Sequence, residues 1–245
     1  NYLSLMQRDK GQLFVSEQDG CGTVFTSMDS ASTWNIPFIR IAFETAHGVA
    51  AGLVTDPEKK DMVVSVSGDG GFMQGIRSVE DTLHQQDPIL HIIAVNQTLG
   101  NTGGQATATT MVGKKTREGH VARCFPVDLL SYAEQHSVPS AQASTVHLED
   151  LYKKLRKAHQ TVVVERRPFV LMMYFSCLEQ GVNLANSLIM QKQGLDAHFI
   201  NLYSTDFKPV RNRMNEILYY RKKVNIDWYP MTFGKKQWKS NLAKY

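Results

Sequence analysis

Two short polar stretches carry the residues best suited to chemistry. The first, Gly68-Asp69-Gly70-Gly71, sets a hard carboxylate among glycines, whose missing side chains let the backbone come close to a phosphate. The second runs Val95-Asn96-Gln97-Thr98-Leu99-Gly100-Asn101-Thr102-Gly103-Gly104-Gln105 and opens with the neutral amide oxygen of Asn96. One carboxylate, one side-chain amide and one backbone carbonyl, completed by diphosphate oxygens, suit the octahedron that Mg²⁺ demands. Gly-Asp-Gly alone is a common turn; its context gives the specificity.

That context is a βαβ unit. Met62-Val63-Val64-Ser65-Val66 precedes the first stretch and Ile89-Leu90-His91-Ile92-Ile93-Ala94 the second. Both runs are short, apolar and rich in β-branched residues, as buried parallel strands are. Between them, Gly75 to Gln86 has helical spacing, with Ile76, Val79 and Leu83 on one face. Both polar stretches therefore leave the carboxyl ends of strands, the edge at which open α/β sheets bind ligands.

The arrangement resembles the thiamine diphosphate motif, in which Gly-Asp-Gly is followed one βαβ unit later by Asn. Asp69 and Asn96 match its two side-chain Mg²⁺ ligands, and Thr98 the residue whose carbonyl is the third. Gly68, Gly70, Gly71 and Thr102 match positions that contact cofactor. Asn101 matches a residue beside the substrate and the reactive thiazolium carbon, where it could hydrogen-bond a developing oxyanion.

The resemblance narrows to the β subunits of 2-oxoacid:ferredoxin oxidoreductases, pyruvate synthase branch, over about residues 13 to 181. Gly20-Cys21-Gly22-Thr23-Val24-Phe25-Thr26 and Ser32-Thr33-Trp34-Asn35-Ile36-Pro37-Phe38 are similar to consecutive segments there, and Ile41 to Gly52 fits a family helix. It implies that Cys21 and Cys177 are [4Fe–4S] ligands, although Ser176 stands where the family often has Pro. The other two ligands would lie in a Cys-x-x-Cys pair upstream of residue 1. The chain opens at Asn1 rather than Met, so residues before it are expected. Cys124 matches no ligand and reads as structural.

Elsewhere, Tyr2 to Arg8 reads as the end of a helix and Leu13-Phe14-Val15 as a first strand. Ile39 to Val54 reads as a helix with Glu44 and His47 at its surface or in an interface. Ala106 to Gly119 lacks periodicity, as functional or mobile loops do. In it Thr107, Thr109 and Thr110 could line the cofactor; Lys114, Lys115 and Arg117 could meet phosphates or a partner, or simply be solvated. Pro126 to His136 is expected as a helix, Val138 to Ala143 as a weak strand, His147 to Gln160 as an amphipathic helix and Phe169 to Phe175 as a last buried strand. With five or six parallel strands, this predicts a three-layer α/β/α fold with a mostly parallel sheet.

The chain has 245 residues and a net charge of +4, unevenly spread. From Lys208 to Tyr245 there are ten Lys and Arg against two acids, Glu216 and Asp227, and the remainder is net −4. Residues 1–198 are accordingly expected to form the cofactor domain and 199–245 a basic, aromatic arm for subunit contacts. Basic–aromatic interleaving can bind nucleic acid, but no motif for that accompanies it. No apolar run approaches the roughly 20 residues a membrane helix needs, and no signal peptide is evident. Three cysteines cannot make a disulfide framework, so a cytoplasmic location is expected.

The resemblance implies oxidative decarboxylation of a 2-oxoacid to an acyl-CoA, with electrons passed through [4Fe–4S] clusters to ferredoxin. Cofactors would be thiamine diphosphate, Mg²⁺ and the cluster. Partners would be an α subunit, which supplies the Glu that activates the aminopyrimidine, together with other subunits and ferredoxin. The substrates would be coenzyme A and a 2-oxoacid such as pyruvate. A thiamine-dependent decarboxylase subunit without a cluster, and a non-enzymatic scaffold, remain as alternatives.

Overall fold

In the computed structural model, which describes residues 2–27, 34–54, 60–114, 119, 122, 126–177, 179, 183, 185–196, 202–211 and 217–226, the two apolar runs are adjacent central strands. β3 (Met62–Gly68) runs parallel to β4 (Ile89–Val95), with Val64 opposite Leu90 and Gly68 opposite Ala94. β1 (Leu13–Gln18) flanks β3, and β2 (Phe38–Ile41) forms the edge beyond it. β6 (Phe169–Tyr174) and then β5 (Ser140–Ser144) continue the parallel sheet past β4. An antiparallel hairpin, β7 (Tyr203–Arg211) and β8 (Ile217–Ile226), completes eight strands in the order β2-β1-β3-β4-β6-β5-β7-β8.

Alternate residues of each strand feed two apolar layers. Leu13, Val15, Met62, Val64, Leu90, Phe169 and Leu171 pack under Leu151, Leu155 and Ala158 of α7 (Leu148–His159), which runs on into a π-helical turn, Gln160–Val164. On the opposite face Ile93, Val95 and Val170 meet Phe72 of α4 (Asp69–Gln74), Val79 and Leu83 of α5 (Ile76–His84) and Ala133 of α6 (Leu130–Gln135). Ala50 of α3 (Ala46–Leu53) covers Val63 and Ile89 on that side. α1 (Tyr2–Gln7) stacks Tyr2 on Tyr152 of α7, the ring centroids 4.6 Å apart. This is the three-layer α/β/α fold expected. No helix among the described residues is long and apolar enough to cross a membrane.

Three expectations change. Ile39 to Val54 is not one helix: Phe38–Ile41 pairs with β1, a turn with Glu44 at a φ of 76° reverses the chain, and helix begins only at Ala46. Alternating apolar residues beside an open strand edge outweighed the helical pattern there. The Gly-Asp-Gly-Gly stretch is not a loop, since Asp69 already opens α4. The Pro126 helix starts late, at Leu130, because the Asp128 carboxylate accepts the Leu130 N–H at 3.0 Å and holds a turn first. Apart from these, the described part of the tail adds the β7–β8 hairpin beside β5.

His47 also departs from expectation. It is fully buried, its Nδ1 2.9 Å from Nδ1 of an equally buried His91. Ser65 Oγ lies 3.0 Å from both of these nitrogens, and Ser67 Oγ lies 3.0 Å from His47 Nε2. Burial pushes His47 down to about 3 and His91 well below the usual imidazole range, so both are neutral. The folded chain thus binds fewer protons than the unfolded chain below about pH 6.5, and stability falls as pH drops through that window. Between pH 7.5 and pH 5 each imidazole should cost about 2 kcal/mol. Denaturant titrations at the two pH values check this, and His91→Asn should flatten the dependence.

Candidate functional site

The carboxyl edge gathers residues from five places along the chain. Asp69, 1% exposed, stands where β3 turns into α4. Its Oδ2 accepts the Gln97 N–H at 3.0 Å and the Thr109 hydroxyl. Burial pushes its carboxyl up, and the Thr109 hydroxyl and the N–H groups of Asn96, Gln97 and Gly70 draw it back down. These four donors are all neutral. A buried carboxylate held in this way suits a bound cation.

Asn96 and Thr98 are set beside it by the loop after β4. Gln97 adopts a φ of 60°, which turns its N–H toward Asp69. The Asn96 Oδ1 accepts the Thr98 N–H at 3.1 Å, and the Thr98 hydroxyl donates to the Gln105 carbonyl at 3.1 Å. A bridge closes the loop: Leu99 N–H donates to the Gln105 carbonyl at 3.0 Å and Gly104 N–H to the Leu99 carbonyl at 2.9 Å, with Gly103 and Gly104 at positive φ. Asn101 and Thr102 form the exposed tip, and the Thr102 hydroxyl is engaged by Gln105 Oε1 at 2.6 Å.

The glycines fit the site in three different ways. A Cβ on Gly70 would lie 2.4 Å from Leu99 Cδ2, so the loop after β4 seats its leucine on bare backbone. A Cβ on Gly71 would lie 1.6 Å from Gln18 Nε2. At Gly68 the nearest protein atom would be 3.9 Å away; packing does not forbid a side chain there, and its absence leaves room for a bound group.

The two cysteines meet here as well. A Cβ on Gly100 would stand 3.0 Å from Cys21 Sγ and 3.0 Å from Cys177 Sγ, with Asn96 Nδ2 at 3.7 Å. Cys21 opens α2 (Cys21–Ser27), and Cys177 follows β6. Burial pushes the Cys177 thiol up, the Glu179 N–H opposes this, Cys21 adds to it and Lys114 works against it. Tyr174, at the end of β6, is pushed up to about 12 by burial and by the charges of Cys177 and Asp69. The Lys114 ammonium is buried without a hydrogen-bond partner, within electrostatic reach of Cys177 and Asp69. Among the described residues no three His, Cys, Asp or Glu form a metal-holding group. Cys124, Lys115 and Arg117 lie outside the described residues.

Residues 20–171 match the family described as thiamine pyrophosphate enzyme, C-terminal TPP binding domain. The chain belongs to that family. Among curated relatives of this thiamine pyrophosphate-binding domain, pyruvate synthase subunit PorB of Methanothermobacter thermautotrophicus is 32% identical over 171 residues, covering 65% of this chain and 59% of the relative. The subunit of the same name from Pyrococcus furiosus is 26% identical over 198 residues, covering 74% and 59%. The chain thus spans about three fifths of the length of these relatives. A 2-oxoglutarate:ferredoxin oxidoreductase from Magnetococcus marinus shares the fold at a TM-score of 0.62 and 17% identity, over 76% of this chain and 60% of that one.

The TPP-binding domain brings together Asp69, Asn96, Thr98, Cys21 and Cys177 as the sequence suggested, with Thr109 as an added partner of Asp69. It leaves Asn101 and Thr102 at an exposed tip. Sequence reasoning missed Gln18, which follows Ser16 and Glu17 and so does not stand out in β1, and Leu99, whose fit on Gly70 has no sequence signature. Gly70→Ala should destabilise the domain by about 1–3 kcal/mol, and Leu99→Ala in the same chain should restore part of that. Melting curves of the single and double variants test the coupling; simple additivity would refute it.

Proposed function

We propose that this chain is the thiamine diphosphate-binding subunit of a 2-oxoacid:ferredoxin oxidoreductase, acting on a pyruvate-like 2-oxoacid. The observation that carries the reading is the meeting of Cys21 and Cys177 beside Gly100, next to the Asp69–Asn96 pair. A thiamine fold alone has no need of two thiols there. The relatives named pyruvate synthase subunit PorB support the same reaction class.

In this reading Asp69, Asn96 and the Thr98 carbonyl hold Mg²⁺. Gly68, Gly70 and Thr102 line the diphosphate, Gly71 contacts the cofactor, and Lys114 offers a positive charge from a buried ammonium. Bound thiamine diphosphate supplies the carbanion chemistry of decarboxylation. Asn101 reaches the substrate side once a partner subunit covers the exposed tip, and there donates a hydrogen bond to developing negative charge. Cys21 and Cys177 supply two of the four thiolates a [4Fe–4S] cluster needs.

An α subunit would complete the site and bring the activating Glu. Ferredoxin would accept the electrons, coenzyme A the acyl group, and the tail beyond residue 198 would contact other subunits. A cytoplasmic location fits such a complex. A decarboxylase subunit without a cluster is the second reading, since the Asp69–Asn96 site could serve thiamine diphosphate with or without one.

Anaerobic purification of the full-length chain with its native partners, followed by iron, sulfide and thiamine assays, tests these readings. About four irons per chain beyond the partners' share, with thiamine, is the expected result. Thiamine without iron would select the decarboxylase, and neither would leave a scaffold. Asp69→Ala should weaken Mg²⁺-dependent thiamine diphosphate binding by at least 100-fold, read by calorimetry. Cys177→Ser should lose the iron and keep the thiamine.

A further inference from the structure

Gln18 ends β1 at the switch point of the sheet. β2 lies on one side of β1, and β3, next in sequence, lies on the other. Ligands of open α/β sheets enter at such a point. The neighbours of Gln18 are committed elsewhere. Glu17 accepts the Trp34 indole N–H at 2.9 Å and the Thr26 hydroxyl at 2.8 Å, and Asp19 pairs with Arg40 at 2.5 Å.

Gln18 is not committed. It is 3% exposed, yet neither its Oε1 nor its Nε2 has a hydrogen-bond partner. A buried amide left unpaired costs about 1–3 kcal/mol, so such groups are rare without a reason. Its position supplies one. Nε2 lies where a Gly71 side chain would begin, against the bare backbone of the turn that carries Asp69. Among the described residues only one other side chain buries every polar atom it has without a partner, Lys114, and it lies within electrostatic reach of Asp69 and Cys177. Two unmet demands converge on one turn.

The chemistry of the demands specifies the occupant. Nε2 requires an acceptor, Oε1 a donor and the Lys114 ammonium an anion. A phosphate provides acceptor and charge, and a metal-bound water provides the donor. We infer that Gln18 is a cofactor-contacting residue for the metal–diphosphate group. Nε2 would donate to a phosphate oxygen, and Oε1 would accept from a metal-bound water. This rests on the thiamine diphosphate reading above and adds a residue to it.

The test uses the full-length chain assembled with its partner subunits and stripped of cofactor. Calorimetric titration with thiamine diphosphate and with inorganic diphosphate, each with Mg²⁺, is compared for the parent, Gln18→Met and Gln18→Glu. Melting of the stripped forms is followed alongside. Gln18→Met should raise the melting temperature of the stripped form and weaken both ligands about ten-fold. Gln18→Glu should weaken both further, since it sets a carboxylate against phosphate. A higher melting temperature with unchanged affinities would make Gln18 a buried orphan only and overturn the inference. Weaker thiamine diphosphate binding with unchanged inorganic diphosphate binding would assign Gln18 to the thiamine rings and overturn it equally. A parent complex that takes up no thiamine diphosphate removes the underlying reading and the inference together. Should Gln18→Met fail to assemble, Gln18→Asn, which withdraws the amide by one methylene, decides on the same criterion.

Discussion

The Asp69 carboxylate is buried at the end of one central strand and takes its hydrogen bonds from the loop that follows the next. Burial by itself favours the neutral acid, while four donors favour the anion. The charge is therefore tolerated only while the Asn96–Gln97 turn and Thr109 are docked against it. Leu99 seated on Gly70 holds the same two pieces together by packing. Polar and apolar contacts thus fix one relative position of the two carboxyl-edge loops, and the cysteine pair, Lys114 and Gln18 are arranged around that fixed centre.

Beneath the centre the sheet is unusually polar for a buried layer. Ser65, Ser67, His47 and His91 sit side by side on β3, β4 and α3, with Phe72 edge-on to His47 at 5.4 Å between ring centroids. An apolar core tolerates small repacking, whereas a hydrogen-bonded cluster admits few arrangements. The cluster lies directly behind α4, so it gives the turn carrying Asp69 a floor of defined geometry. α3 is locked to the sheet by the same contacts.

Much of this was legible in the residues. The βαβ unit, the Asp69–Asn96 relation and the parallel sheet follow from apolar runs that end in glycine and polar residues, a pattern set by local physics. What was not legible depended on distant neighbours. Phe38–Ile41 has apolar residues that suit a helix or a strand, and only the open edge of β1 decides between them. His47 stands in the first turn of α3, and nothing local reveals that His91 waits opposite. Gln18 has no feature of its own; it becomes conspicuous only when Gly71 is seen to lie against it.

The cysteine pair couples the beginning of the chain to a residue just beyond the last parallel strand. Cys21 follows the first strand, whereas Cys177 follows β6, which is threaded between β4 and β5. During synthesis on the ribosome, β1, β3 and β4 can pair early, but the edge they form stays incomplete until β6 has emerged and inserted. The meeting of the two cysteines is therefore a late event in the life of the nascent chain. Until then the Asp69 turn has its floor on β3, β4 and α3 but lacks the wall that carries Cys177.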